Sequence, residues 1–99
     1  MSLITVTTGQ LALQGVLDMD TVASIQPQLL QAMQGDQLSL DLSAVEKADA
    51  AALAMLLGAV RQQQQRGGVL LLQHLPASLA SQARLYGIAE LLGMPGDAP

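Results

Sequence analysis

With 99 residues the chain has room for one domain and one core, since a chain of this size buries roughly 65% of the surface its unfolded form exposes. Hydrophobic residues make up 51% of it, but with one Tyr, no Phe and no Trp, the core must be built from Leu, Val, Ile, Met and Ala. Four basic against eight acidic residues give a net charge of −4, which repels phosphate backbones and anionic headgroups, and the absence of Cys excludes disulfide and thiolate chemistry.

Leu3, Thr5 and Thr7 alternate with Ile4, Val6 and Thr8. Gly9 and Gln10 then interrupt, and Leu11, Leu13 and Gly15 alternate with Ala12 and Gln14, which predicts a β-hairpin. From about Asp20 to Met33, Val22, Ile25, Leu29, Leu30 and Met33 recur at helical spacing. Pro27 would break a helix interior, so the regular part is expected to begin near Ser24, after a disturbed first turn. Gly35 and Asp36 end that helix, and Leu38, Leu40 and Leu42 alternate with Ser39 and Asp41 as a short central strand running into Ser43.

Residues 44–49 read as a turn. Leu53, Leu56, Leu57 and Val60 then fall at i, i+3, i+4 and i+7, with Gly67 as terminator, which is the clearest helical signal in the chain. Opposite that stripe, Gln62 to Gln65 are expected to form a solvated face. Val69 to Leu72 is an apolar run too short for a helix, and it suits a strand buried on both faces between parallel neighbours. Pro76 opens a helix in which Leu79, Ala83 and Tyr86 share a face; Gly87 ends it before a short helix over 88–92. Residues 1–95 are read as a single domain and 96–99 as a disordered tail.

Few residues here could carry chemistry. There is one His, there is no Cys, and the carboxylates are scattered, so no metal site and no cofactor are expected. His74, Ser43 and Asp41 make a triad only on paper; no nucleophile elbow accompanies them, and a Ser in a turn and a His at a strand end are ordinary structural residues. Gly67 and Gly68 precede a strand rather than a helix and no Lys, Ser or Thr follows, so they cannot form a phosphate-cradling loop of the Walker type. The first basic residue is Lys47 and no apolar run approaches the roughly 18 residues of a membrane span, so the expectation is a cytoplasmic protein without leader or anchor.

The segment that stands apart is Asp41, Leu42, Ser43, then Asp49, Ala50, Ala51, Ala52, Leu53, where a central strand hands over to the best helix. It resembles the STAS domain, in which a strand ending Asp-Leu-Ser is followed by a short turn, Asp, a Ser or Thr, a small pair and Leu. Leu13, Gly15, Leu17 and Asp18 are similar to the family's second-strand signature, and Arg84, Leu85, Tyr86, Gly87 and Ile88 to its third-helix exit.

The resemblance implies an α/β, STAS-like fold: a mixed four-stranded sheet, an N-terminal hairpin plus parallel strands, with about four helices packed mainly on one face. Residues 11–17 and 83–86 are most similar to the stand-alone STAS subunits of Mla-type phospholipid-transport ABC complexes. That likeness implies a non-catalytic subunit, peripheral to the inner membrane, that docks on the transporter's ATPase. Asp49, Ala50, Ala51, Ala52 and Leu53, with Lys47 and Arg61, are the expected partner-binding residues. The family's hydroxyl position is Ala50, which excludes phosphorylation there and implies a fixed dock. The Ala-rich first turn is also flat enough for another backbone to approach. The other reading that the resemblance allows is an antagonist that sequesters an anti-sigma factor or switch kinase. Any link to lipid is indirect, because a close-packed fold of this size can hardly enclose a lipid-sized cavity.

Overall fold

The computed structural model describes residues 3–7 and 9–87. The strands β1 (Leu3–Thr7), β2 (Gln10–Leu17), β3 (Gln37–Ala48) and β4 (Val69–Gln73) form one sheet in the order β1-β2-β3-β4. β1 and β2 are antiparallel; β2, β3 and β4 are mutually parallel, so β3 is central and β4 lies at an edge. Helix α1 (Met19–Ala32) joins β2 to β3, α2 (Ala50–Gln65) joins β3 to β4, and α3 (Ala77–Leu85) follows β4. Both crossovers step in the same direction along the sheet, and right-handed connections then place α1 and α2 on one face. About four helices were expected and three are described; the short helix over 88–92 and the tail at 96–99 lie outside the described residues.

Leu11, Leu13 and Leu17 of β2, Leu38, Leu40 and Leu42 of β3, and Leu70 of β4 point into the core, where they meet Val22, Ile25 and Leu29 of α1 and Leu53, Leu56 and Val60 of α2. α3 adds Leu79 and Ala83. The other face of the sheet carries no helix among the described residues.

The structure corrects four expectations. First, α1 is helical from Met19, not from Ser24. Asp18 caps it, accepting from the N–H groups of Asp20 and Thr21 at 3.0 Å each, while the Thr21 hydroxyl accepts from the Asp18 N–H at 2.8 Å. This reciprocal cap supplies the start that the pattern alone does not announce. Pro27 sits inside the helix, and both it and Ala23, whose carbonyl loses its partner, are exposed, so water can satisfy that carbonyl.

Second, residues 44–48 are strand rather than turn. Ala12 to Gln14 is two steps along β2 but faces three along β3, from Asp41 to Ala44; Gly15 to Val16 is one step facing two, from Val45 to Lys47. Two bulges therefore let ten residues of β3 run beside eight of β2, and the alternation that identifies a strand is lost there. Gly15, between them, has a φ of 91°, a backbone that a side chain would strain.

Third, β4 is covered on one face only. Leu70 is buried, but Val69 and Leu71 are 59% and 48% exposed, because the sheet has one layer of helices. Fourth, the glutamine run is not wholly solvated: Gln63 is fully buried, its Nε2 donating to the carbonyls of Gly35 at 2.9 Å and Asp36 at 3.0 Å.

Candidate functional site

The C-terminal ends of β2 and β3 meet the first turns of all three helices at one end of the molecule. Leu17 pairs with Ala48 in the sheet, and the Asp49 N–H donates to the Leu17 carbonyl at 3.1 Å. The caps of α1 and α2 are thus held side by side. Asp49 Oδ1 accepts from the Ala51 N–H at 2.9 Å and the Ala52 N–H at 3.4 Å, so its carboxylate is committed to the start of α2. The Asp18 carboxyl is held below its usual range, chiefly by the Thr21 N–H, against the desolvation that opposes it. An open depression of about 500 Å³ lies here, lined by Leu17, Asp18, Glu46, Lys47, Asp49 and Ser78 among others.

The expected partner-binding residues divide into two groups. Ala50 is exposed at the first position of α2 and Ala51 is half-buried, whereas Ala52 and Leu53 are 0% and 3% exposed and belong to the core beneath them. Lys47 is exposed at the end of β3 and lines the depression beside Asp49. Arg61 is exposed, eleven residues along α2 from Ala50, on the same side and roughly 16 Å away.

Between Ala50 and Arg61 the helix presents Ala54 and Gly58, both exposed, with Leu57 half-buried at the margin. These residues escaped the sequence reading, although small residues at i, i+4 and i+8 opposite the leucine stripe were a readable signal. A side chain at Gly58 would meet nothing within 4 Å, so this side of α2 is open.

The paper triad does not form. Ser43 donates from its hydroxyl directly to Asp41 Oδ2 at 3.0 Å, and from its N–H to Oδ1 at 2.9 Å, leaving no place for an imidazole between them. The Ser43 N–H is the main reason the Asp41 carboxyl is held below its usual range; the His74 charge contributes less. Among the described residues no group of His, Cys, Asp or Glu could hold a metal ion, and no helix is long and apolar enough to cross a membrane.

No curated protein matches the chain. Among solved structures, the anti-sigma factor antagonist SpoIIAA in its unphosphorylated form shares this fold, with a TM-score of 0.66 at 18% identity over 86% of this chain and 83% of that one. A family model described as "Mlab, STAS domain" matches residues 4–93, nearly the whole sequence, so the chain belongs to that STAS-domain family.

Proposed function

We propose that this chain is a non-catalytic subunit of an Mla-type phospholipid-transport ABC complex. In this reading residues 1–95 act as one domain, held at the cytoplasmic face of the inner membrane by docking on the ATPase subunit. The observation that carries it is the family match over residues 4–93.

The dock is the outer side of α2 with the turn before it: Lys47, Asp49, Ala50, Ala51, Ala54, Gly58 and Arg61. Ala52 and Leu53 support it from below. Three properties favour this surface. Between Asp49 and Arg61 its accessible residues, Ala50, Ala51, Ala54 and Gly58, are small, so a partner's backbone can come close there. The Asp49 cap and the core contacts fix it in advance, so little ordering is needed on binding. Ala50 offers no hydroxyl, so the surface is not switched by phosphorylation at that position.

Co-expression with a tagged ATPase of the same transporter tests this. The unmodified chain is expected to co-purify; Ala51→Arg and Gly58→Arg abolish capture while the far-UV circular dichroism stays native. Gly58→Ala keeps binding and adds up to about 1 kcal/mol of stability through helix propensity. Co-purification of Ala51→Arg would refute the site, and failure of the unmodified chain to co-purify would refute the partner. The fold shared with an anti-sigma factor antagonist favours a second reading, in which the same surface sequesters a kinase or anti-sigma factor; capture of such a protein in place of the ATPase would establish it.

A further inference from the structure

The sheet ends at β1 on one side and at β4 on the other. In β4 the register fixes where each backbone group points. The Val69 N–H donates to the Asp36 carbonyl at 2.7 Å, and Leu70, Leu71 and Leu72 lie beside Leu38, Ser39 and Leu40 without a bulge. In a parallel pair alternate residues bond to the same neighbour, so Val69, Leu71 and Gln73 turn their N–H and C=O groups to β3. Leu70 and Leu72 turn theirs outward, where no described strand lies, and α3 packs chiefly against α2.

This edge lacks the usual deterrents to pairing. β4 holds no charge, no Pro and no bulge; only its length of five residues, about 17 Å, restrains it. Among the described residues, the large exposed apolar side chains of the open sheet face are Val69 and Leu71, both on β4. β2 and β3 present Gln10, Gln14, Gln37, Ser39 and Asp41 on that face. Stacking one open face on another would bury those polar groups, whereas pairing at the β4 edge leaves them in water.

We propose that β4 pairs antiparallel with β4 of a second copy, about a two-fold axis at Leu71, so that two four-stranded sheets become one of eight strands. The strand matches itself when reversed. Leu70 of each copy exchanges hydrogen bonds with Leu72 of the other, which satisfies all the outward groups of both residues. Leu71 faces Leu71 in a non-hydrogen-bonded pair, where side chains approach most closely, and Val69 faces Gln73. The half-buried Leu72 gains cover beside Leu70 of the second copy. No like charges face each other in the paired strands, although each chain carries a net charge of −4. Five residues a side fall well short of the roughly 20 to 30 of a stable interface, so the dimer is weak and depends on concentration. β4 contributes no residue to the proposed dock, so the two readings stand or fall separately.

Sedimentation and amide exchange of the whole chain over about 10 μM to 1 mM test this. The sedimentation coefficient is expected to rise with concentration. The N–H groups of Leu70 and Leu72, and not those of Val69, Leu71 and Gln73, are expected to exchange about tenfold more slowly at the upper end than at the lower. Leu71→Lys and Leu71→Glu each set like charges across the axis, so each is expected to stay monomeric with native circular dichroism, while their equimolar mixture associates again. Ala51→Arg, outside β4, is expected to leave the dimer unchanged. A monomer throughout this range, a dimer that Leu71→Lys leaves intact, or a mixture that fails to associate overturns the proposal. So does slow exchange of Leu70 and Leu72 at the lowest concentration, which means that the edge is covered within one chain, and so does concentration-dependent slowing in β1 in place of β4.

Discussion

Gln63 and Gly68 hold together three chain segments that are far apart in sequence. The Gln63 side chain donates to the Gly35 and Asp36 carbonyls, its own backbone carbonyl accepts from the Gly68 N–H at 2.9 Å, and the Asp36 carbonyl also accepts from the Val69 N–H at 2.7 Å. The end of α2, the entry to β3 and the entry to β4 are thereby fixed at one point. Gly68 is required because a Cβ there would press on the Asp36 carbonyl oxygen and on the Gln63 amide. Backbone on one side cannot swing away as a flexible side chain can. Gly68→Ala is expected to cost roughly 2 to 3 kcal/mol, read as a lower urea midpoint by circular dichroism, because it overpacks a site with nowhere to relax. An unchanged midpoint would show that the segment yields.

At the scale of single elements, α1 carries an internal proline that its cap and its buried face outweigh. Pro27→Ala restores one N–H to the Ala23 carbonyl and removes the ring's steric cost on an exposed face; the unfolded chain gains freedom in return. The net expectation is a gain of about 2 kcal/mol in urea unfolding, with the same native spectrum. The hairpin, the central β3 and α2 were legible in the sequence, because Leu periodicity of two or of nearly four reports burial directly; parallel neighbours were expected of β4 because it was read as buried on both faces, and it does run parallel to β3 although it is an edge strand with one face open. The features that were not legible have physical causes. Two bulges erase the alternation between Ser43 and Lys47; an apolar run such as Val69 to Leu72 does not say whether one face or two are covered; and a buried glutamine looks like its solvated neighbours until its carbonyl partners arrive from 27 and 28 residues away. The proposed dock was read from the family likeness as Asp49 to Leu53 with Lys47 and Arg61; that Ala54 and Gly58 share its exposed side depends on which side of α2 the core leaves open, and that Ala52 and Leu53 are buried depends on the same packing.

The described elements share one core. Among the described residues nineteen hydrophobic ones are buried in it, drawn from β2, α1, β3, α2, β4 and α3, so none of these elements has an apolar surface it can bury alone. Eleven of the nineteen are Leu, and none is aromatic, so no single anchor dominates and stability depends on many similar contacts. Leu40 is fully buried on the central strand, where its loss opens a cavity that a sheet hydrogen-bonded on both sides cannot collapse to fill. Leu40→Ala is therefore expected to cost about 2 to 5 kcal/mol, a large share of the roughly 5 to 15 kcal/mol of a typical domain. If the core is one cooperative unit, the methyl resonances of β2, α2 and α3 lose intensity at a common urea midpoint, and that midpoint coincides with the far-UV circular dichroism transition in both the parent and the variant. Methyl signals are the necessary probe, because the chain has no Trp and its one Tyr, Tyr86, is exposed in the folded state. Earlier loss of the Leu79 signal would refute this. α3 contributes only Leu79 and Ala83 to the core, so it is the element by which a divided core would first reveal itself.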